Sequence, residues 1–328
     1  MIKKLLLGVT GTLALIAAGV SAWYWGYLPK QQPVQHWVVD ATPELIERGG
    51  YLTINVLQCV DCHSERDWTL YGGPPVEPIG AGRACFDRNS PPQGVNVGES
   101  TFPGVMCIRN ITQDPDTGIG DWTNGAIVRA VREGVDRNGN GLFLIMPYFI
   151  YRHLADDDMR AILAYLSTMP AVESVRPQKQ IDFPMSSLVK LWPEPVTEEI
   201  VALDPADTVA YGEYLSRIAR CEFCHTPRDP RSFNYDPARR MAGGMPFFLH
   251  GRTLWAMNLT PHETGLGSWT KDMFLMRFKL HGTPTPVAPE SNTLMIWNAF
   301  AGMTEADVSA LWEYFQTLPP VPLQREGI

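Results

Sequence analysis

The chain has no basic tail and, past its first few residues, no run of lysine and arginine. Its 27 lysines and arginines face 35 aspartates and glutamates, a formal net charge of −8 over 328 residues. A nucleic-acid backbone is held by clustered positive charge, so no nucleic-acid partner is expected. Cysteine is sparse, six in all, and each can be given its own account. Neither half carries alternating apolar and polar runs long enough to announce strands. No nucleophile–base pair stands out. Hydrophobic residues at 45% and charged residues at 19% still mark a chain that folds. Its 28 glycines and 28 prolines favour short helices joined by long turns over a bundle or a coiled coil.

Charge is also missing from Leu5 to Trp25, behind Lys3 and Lys4. With Val20-Ser21-Ala22, this fits an export signal cleaved after Ala22. The stretch is also long enough to span a bilayer. Trp23, Tyr24, Trp25 and Tyr27 follow it as interfacial anchors would. An uncleaved transmembrane anchor is the expectation adopted, with a cleaved signal or a buried core helix as alternatives. Lys3 and Lys4 then keep the N-terminus in the cytoplasm and place the rest outside it.

Four cysteines sit in two pentads. Cys59 and Cys62 precede His63 in CVDCH, and Cys221 and Cys224 precede His225 in CEFCH. C-x-x-C-H reads as c-type haem attachment: each thiol can bond a vinyl-derived carbon, and the adjoining imidazole can reach the iron. A zinc site or a redox dithiol competes with this reading. Two copies behind an export signal favour two covalently attached haem c groups. Cys85 and Cys107 flank a Gly/Pro-rich stretch in a compartment that permits disulfides. A Cys85–Cys107 bond is expected, with two free buried thiols as the alternative.

An internal repeat organises the chain. GGYLTINVLQCVDCH from Gly49 answers GEYLSRIARCEFCH from Gly212, and NITQDPDTGIGDWT from Asn110 answers NLTPHETGLGSWT from Asn258. The segment from Met146 answers the one from Met295. The expected layout is a signal or anchor over 1–30, module one over 42–170, a linker over 171–204 and module two over 205–320. The region with Cys85 and Cys107 is an insertion of module one alone. In the linker, Phe183, Leu188 and Trp192 are expected to pack across both modules. Pro43 predicts a first helical turn, Asp204 an N-cap before Pro205, and Thr304 with Asp307 a near capping box.

An electron-carrying haem takes two protein ligands, and methionine opposite histidine raises its potential. Met146, followed by Pro147, is the candidate in module one, and Met295, followed by Ile296, in module two. Core packing is the bland reading of both. The rivals are Met106 in module one and Met273, Met276, Met303, His250, His262 and His281 in module two, where Met273 and Met276 look like core. His153 reads as a surface or capping residue. Arg83, Arg129, Arg132, Arg252 and Arg277 could pair with carboxylates of a bound group or lie on solvated faces. Trp122 and Trp269 occupy matching positions and read as core.

These pentads, the N-I/L-T…TGIG/TGLG…W-T element and the methionine segments resemble the cytochrome c subunits of membrane-bound bacterial alcohol, gluconate and sorbitol dehydrogenases. The resemblance covers residues 42–320. It implies an all-α fold of tandem class I cytochrome c modules, each with one covalently bound haem, behind an N-terminal transmembrane helix. It implies Cys59, Cys62, His63, Met146, Cys221, Cys224, His225 and Met295 as cofactor-binding residues, with His63 and His225 as proximal and Met146 and Met295 as distal iron ligands. Those subunits often carry three haems, whereas only two pentads exist here. The implied role is a membrane-anchored diheme cytochrome c on the periplasmic face of the bacterial inner membrane, with the lipid bilayer as a partner. It would carry electrons from a membrane-bound dehydrogenase or respiratory-complex subunit to a terminal oxidase or soluble cytochrome. A diheme peroxidase with one open haem and a structural subunit are the rival readings.

Overall fold

The computed structural model describes residues 2–87, 103–229 and 234–325. The side chains of 2–8 and of residue 84 lie outside the description, and so do the Lys3–Lys4 charges and the middle of the insertion. Twelve helices are described: α1 (Ile2–Tyr27), α2 (Pro43–Tyr51), α3 (Cys59–Cys62), α4 (Asn124–Val128), α5 (Tyr148–Tyr151), α6 (Asp156–Leu166), α7 (Met185–Leu188), α8 (Thr208–Ile218), α9 (Cys221–His225), α10 (Lys271–Lys279), α11 (Trp297–Phe300) and α12 (Glu305–Gln316). The chain divides into two compact units.

The first unit comprises Met1–Trp37, Asn124–Arg152 and Phe183–Thr197. Tyr24 Oη donates to Ser187 O at 3.0 Å, and Lys190 Nζ lies 4.3 Å from the centre of the Trp25 ring. Two of the aromatic residues expected at a bilayer interface therefore pack on the Phe183–Thr197 segment. Among the described residues no helix is long and apolar enough to cross a membrane. The physical reason lies in α1 itself. From Val9 onward its apolar residues are diluted by Thr10, Gly11, Thr12, Gly19 and Ser21, and it ends in Trp and Tyr. The expected transmembrane anchor, the bilayer as a partner and the inner-membrane, periplasmic-face placement are corrected on this finding. Phe183 is 82% exposed and Leu188 and Trp192 are exposed as well, whereas Val189 between them is buried.

The second unit holds Val38–Thr123, His153–Asp182 and Glu198–Ile328. Its frame is two helix pairs, α2 against α6 and α8 against α12. Pro43 opens α2 as expected, and Thr42 Oγ1 accepts from Leu45 N at 3.3 Å. Thr304 caps α12, accepting from Asp307 N at 3.1 Å. The predicted Asp204 cap is displaced. Asp204 instead closes a turn, accepting from Ala206 N, and Asp207 caps α8 through Ala210 N at 3.1 Å. Both pairs cross at a glycine. A Cβ on Gly49 would stand 1.9 Å from Ala161 O, and one on Gly212 would stand 2.0 Å from Ala310 O.

The fold is largely helical with two small sheets, which corrects the all-α expectation. Strands β1 (Arg83–Phe86), β2 (Gly104–Ile108) and β3 (Gln180–Ile181) form one antiparallel sheet, and β4 (Pro246–Leu249) pairs β5 (Arg252–Trp255). None exceeds five residues, too short for an alternation signal. Cys85 and Cys107 are register partners and form the expected disulfide.

Two tyrosine–aspartate contacts join the repeats within this unit. Tyr214 Oη donates to Asp158 Oδ2 at 2.6 Å and accepts from Ala155 N at 3.2 Å. In the equivalent place, Tyr51 Oη donates to Asp307 Oδ2 and accepts from Thr304 N. Each repeat thus sends a tyrosine to the helix start of the other. Arg48 adds an ion pair to Asp158 at 2.9 Å. Burial and the adjoining carboxylate raise the pKa of both phenols, so both remain donors.

Gly49→Ala and Gly212→Ala should each lower stability by roughly 1–3 kcal/mol, because the added methyl meets backbone that cannot swing away. Chemical denaturation measures this directly. Tyr214→Phe should cost roughly 1–3 kcal/mol, since it strips the donor from a buried carboxylate. Adding Asp158→Asn should then cost less than it does in the wild-type chain, a coupling that a double-mutant cycle reads out.

Candidate functional site

Each pentad is one turn of helix entered through a left-handed residue. Gln58 precedes Cys59 at φ 55°, and Arg220 precedes Cys221 at φ 63°. The left-handed turn ends the preceding helical segment and starts α3 or α9 at a new angle. Eight positions separate Tyr51 from Cys59, but seven separate Tyr214 from Cys221. The extra residue of repeat one is taken up by a π-helical turn at Leu52–Val56, so both pentads arrive in matching places.

The histidines are held identically. His63 Nδ1 lies 2.7 Å from Arg109 O, and His225 Nδ1 lies 2.7 Å from Met257 O. A carbonyl only accepts, so each Nδ1 carries the proton and each Nε2 keeps its lone pair. The main chain repeats as well: Gly82 N donates to His63 O and Gly243 N to His225 O, both at 2.8 Å. Burial pushes the pKa of both imidazoles down, although an edge of His63 remains accessible.

The N-I/L-T loops build the two accepting carbonyls. Asn110 Nδ2 donates to Val172 O at 2.7 Å and to Thr117 Oγ1 at 3.0 Å, while its Oδ1 accepts from Thr112 N. Asn258 does the same with Val321 O at 2.7 Å, Thr264 Oγ1 at 3.1 Å and Thr260 N. Arg109 and Met257 are the residues just before these asparagines, so each loop positions the carbonyl that orients its histidine.

Cys59, Cys62, Cys221 and Cys224 are free thiols. Burial pushes Cys59 and Cys221 up to about 12, which disfavours the thiolate that dithiol exchange requires. Among the described residues no group of three or more His, Cys, Asp or Glu is gathered in a way that could hold a metal ion. The zinc reading loses its ligand set. The expectation of two covalently attached haem c groups, and of a diheme cytochrome built on them, is likewise corrected. The thiols of both pentads stand free, and the disulfide described is Cys85–Cys107.

The methionine segments share a backbone. Tyr148 N donates to Met146 O and Trp297 N to Met295 O, both at 2.9 Å. Ile296 adopts φ −83° and ψ 62°, close to the φ −83° and ψ 50° of Pro147, so the missing proline leaves the turn unchanged. Met295 shares the second unit with Cys221, Cys224 and His225, while Met146 belongs to the first unit and Cys59, Cys62 and His63 to the second. Of the rivals, Met106 and Met303 are buried, whereas Met273 and Met276, read as core, are exposed. His281 Nε2 faces Arg277 at 3.2 Å, and His250 sits in the β4–β5 turn at φ 49°. Arg129 Nη2 donates to Asp136 O at 2.6 Å, Arg252 to Asn292 O, and Arg277 lies over the Trp297 ring at 4.4 Å. Trp122 and Trp269 are half-buried in matching turns.

No protein-family model matches the chain. It is 28% identical to the gluconate 2-dehydrogenase cytochrome c subunit of Pantoea cypripedii, over 85% of this chain and 60% of that protein. It is 28% identical to the cytochrome c subunit of alcohol dehydrogenase (quinone) of Gluconacetobacter polyoxogenes, over 86% and 58%. The fructose dehydrogenase cytochrome subunit of Gluconobacter japonicus is also 28% identical, over 94% and 58%. The chain thus spans about three-fifths of the length of these relatives.

Asn110→Ala and Asn258→Ala should each lower stability by roughly 1–3 kcal/mol, by leaving buried main-chain groups unpaired. Each should also release its histidine. Imidazole nitrogen NMR would then show the Nδ1 proton of His63 or His225 losing its protection from solvent exchange.

Proposed function

We propose that the chain is an electron-transfer subunit working beside a dehydrogenase-type partner. It resembles the cytochrome c subunits of membrane-bound quinoprotein alcohol, gluconate and fructose dehydrogenases. These relatives are cytochrome subunits of oxidoreductases, which favours electron carriage over bond-making chemistry. In this reading Cys59, Cys62, His63 and Met146 are the candidate binding residues of a module over 42–170, and Cys221, Cys224, His225 and Met295 those of a module over 205–320.

The observation that carries the reading is the matched histidine geometry. Two imidazoles in one chain are tied by Nδ1 to main-chain carbonyls at 2.7 Å, which keeps both Nε2 atoms free as donors to a bound group.

The test is a redox titration, followed by visible absorbance, on the chain purified from its native host. At least one reversible step is expected. Addition of a substrate-reduced gluconate or alcohol dehydrogenase should reduce the chain in step with substrate consumed. A native chain without any reversible step would end this reading.

A further inference from the structure

The surroundings of α1 change along its length at one place. Every residue from Val9 to Trp23 is exposed, Leu13 by 59%, Leu15 by 76% and Val20 by 58%. A Cβ added to Gly11 or Gly19 would meet nothing within 4 Å, so no neighbouring element lies against the helix at either glycine. From Tyr24 onward the chain is tied down. Tyr24 Oη donates to Ser187 O at 3.0 Å, and Lys190 Nζ stands 5.1 Å from the centre of the Tyr24 ring and 4.3 Å from that of Trp25. Leu28 is 7% exposed, Gln31 Oε1 accepts from Arg129 Nη1 at 3.3 Å, and Gln32 Nε2 donates to Val196 O at 2.9 Å. All of these partners belong to the same unit.

That boundary coincides with Val20-Ser21-Ala22. We infer that the bond between Ala22 and Trp23 is a processing site, and that residues 1–22 are a leader removed by a protease that reads small side chains at the first and third positions before the bond. Lys3 and Lys4, the uncharged stretch behind them, and Val20 with Ala22 supply the three parts of such a leader. A leader needs only roughly 7–15 apolar residues, against about 20 for a membrane span. The threonines and glycines that disqualify α1 as a span therefore leave it competent as a leader. Water is the co-reactant: its hydroxyl goes to the Ala22 carbonyl carbon and its proton to the Trp23 nitrogen, leaving an Ala22 carboxylate and a Trp23 amine. Both residues are exposed, so the bond is open to attack once the local turn unwinds. Gly19, Val20 and Ser21 are poorer helix formers than alanine, which eases that unwinding. The cut removes the exposed apolar side chains and keeps Tyr24, Leu28, Gln31 and Gln32. It accounts for an apolar helix left uncovered over 15 residues, from Val9 to Trp23.

The experiment is intact-mass measurement and N-terminal sequencing of the full-length chain, expressed in and purified from its native host. A single species that starts at Trp23 is expected. Ala22→Arg places a long charged side chain next to the bond and should abolish the cut, leaving the leader attached. The uncut variant should melt at the same temperature as the processed chain, because the ties from Tyr24 onward are common to both. A wild-type chain that keeps residues 1–22, or that starts at a residue other than Trp23, overturns the inference. So does an Ala22→Arg chain cut as completely as the wild type. An uncut Ala22→Arg chain that melts well above the processed one also overturns it, since the segment would then be part of the working fold.

Discussion

The close crossing of helices within each repeat sets the terms for everything that follows it. At Gly49 and Gly212 the backbone of one helix lies against a carbonyl of the other, with no room for a Cβ. That approach leaves little freedom in the angle or depth of the crossing. It fixes the start of α6 relative to Tyr51 and the start of α12 relative to Tyr214. The tyrosine–aspartate exchange between repeats needs both starts in place, because each phenol meets a carboxylate and a main-chain N–H of the other repeat. The pentads follow the same helices by a few residues, so their mutual position is inherited from the crossing and from the exchange.

Much of the frame was legible in the repeat. The paired N-I/L-T loops, the first-turn Pro43 and the capping residue Thr304 all carry local physics that does not depend on distant contacts. The strands were not legible. Strands of two to five residues offer too few alternations to separate from a turn, and β1 and β2 sit inside a Gly/Pro-rich insertion. The N-terminal helix was misread from its lack of charge, its length and its terminal aromatic residues, without weighing apolar density. Absence of charge is weaker than apolar density, and glycine, threonine and serine lower the latter without introducing a charge.

The sites were legible in their residues and not in their support. CVDCH and CEFCH announced themselves, but nothing local marks Arg109 or Met257, which contribute only a carbonyl. The signal was present at one remove: both residues precede an asparagine that the repeat preserves, and the loop that asparagine ties together is what aims the carbonyl. The tyrosine–aspartate exchange was equally available, since Tyr51 answers Tyr214 and Asp158 answers Asp307. A matched polar pair in two repeats can satisfy itself within each repeat or across them. Sequence alone does not separate these cases, and the swapped arrangement emerges only from packing.

The two pentads share a scaffold and differ in charge. Val60 and Asp61 of the first stand where the second has Glu222 and Phe223. Glu222 reaches out to Arg240 at 3.2 Å in a half-exposed pair, where solvent screens most of its effect. Asp61 is buried, and that burial pushes its pKa up to about 6. A buried charge acts on its surroundings over a longer range than a screened one. Here the backbone keeps the donor geometry constant, while the side chains inside and just before each pentad make the surroundings unequal. A duplicated module thus retains one way of orienting its histidine and acquires two electrostatic settings.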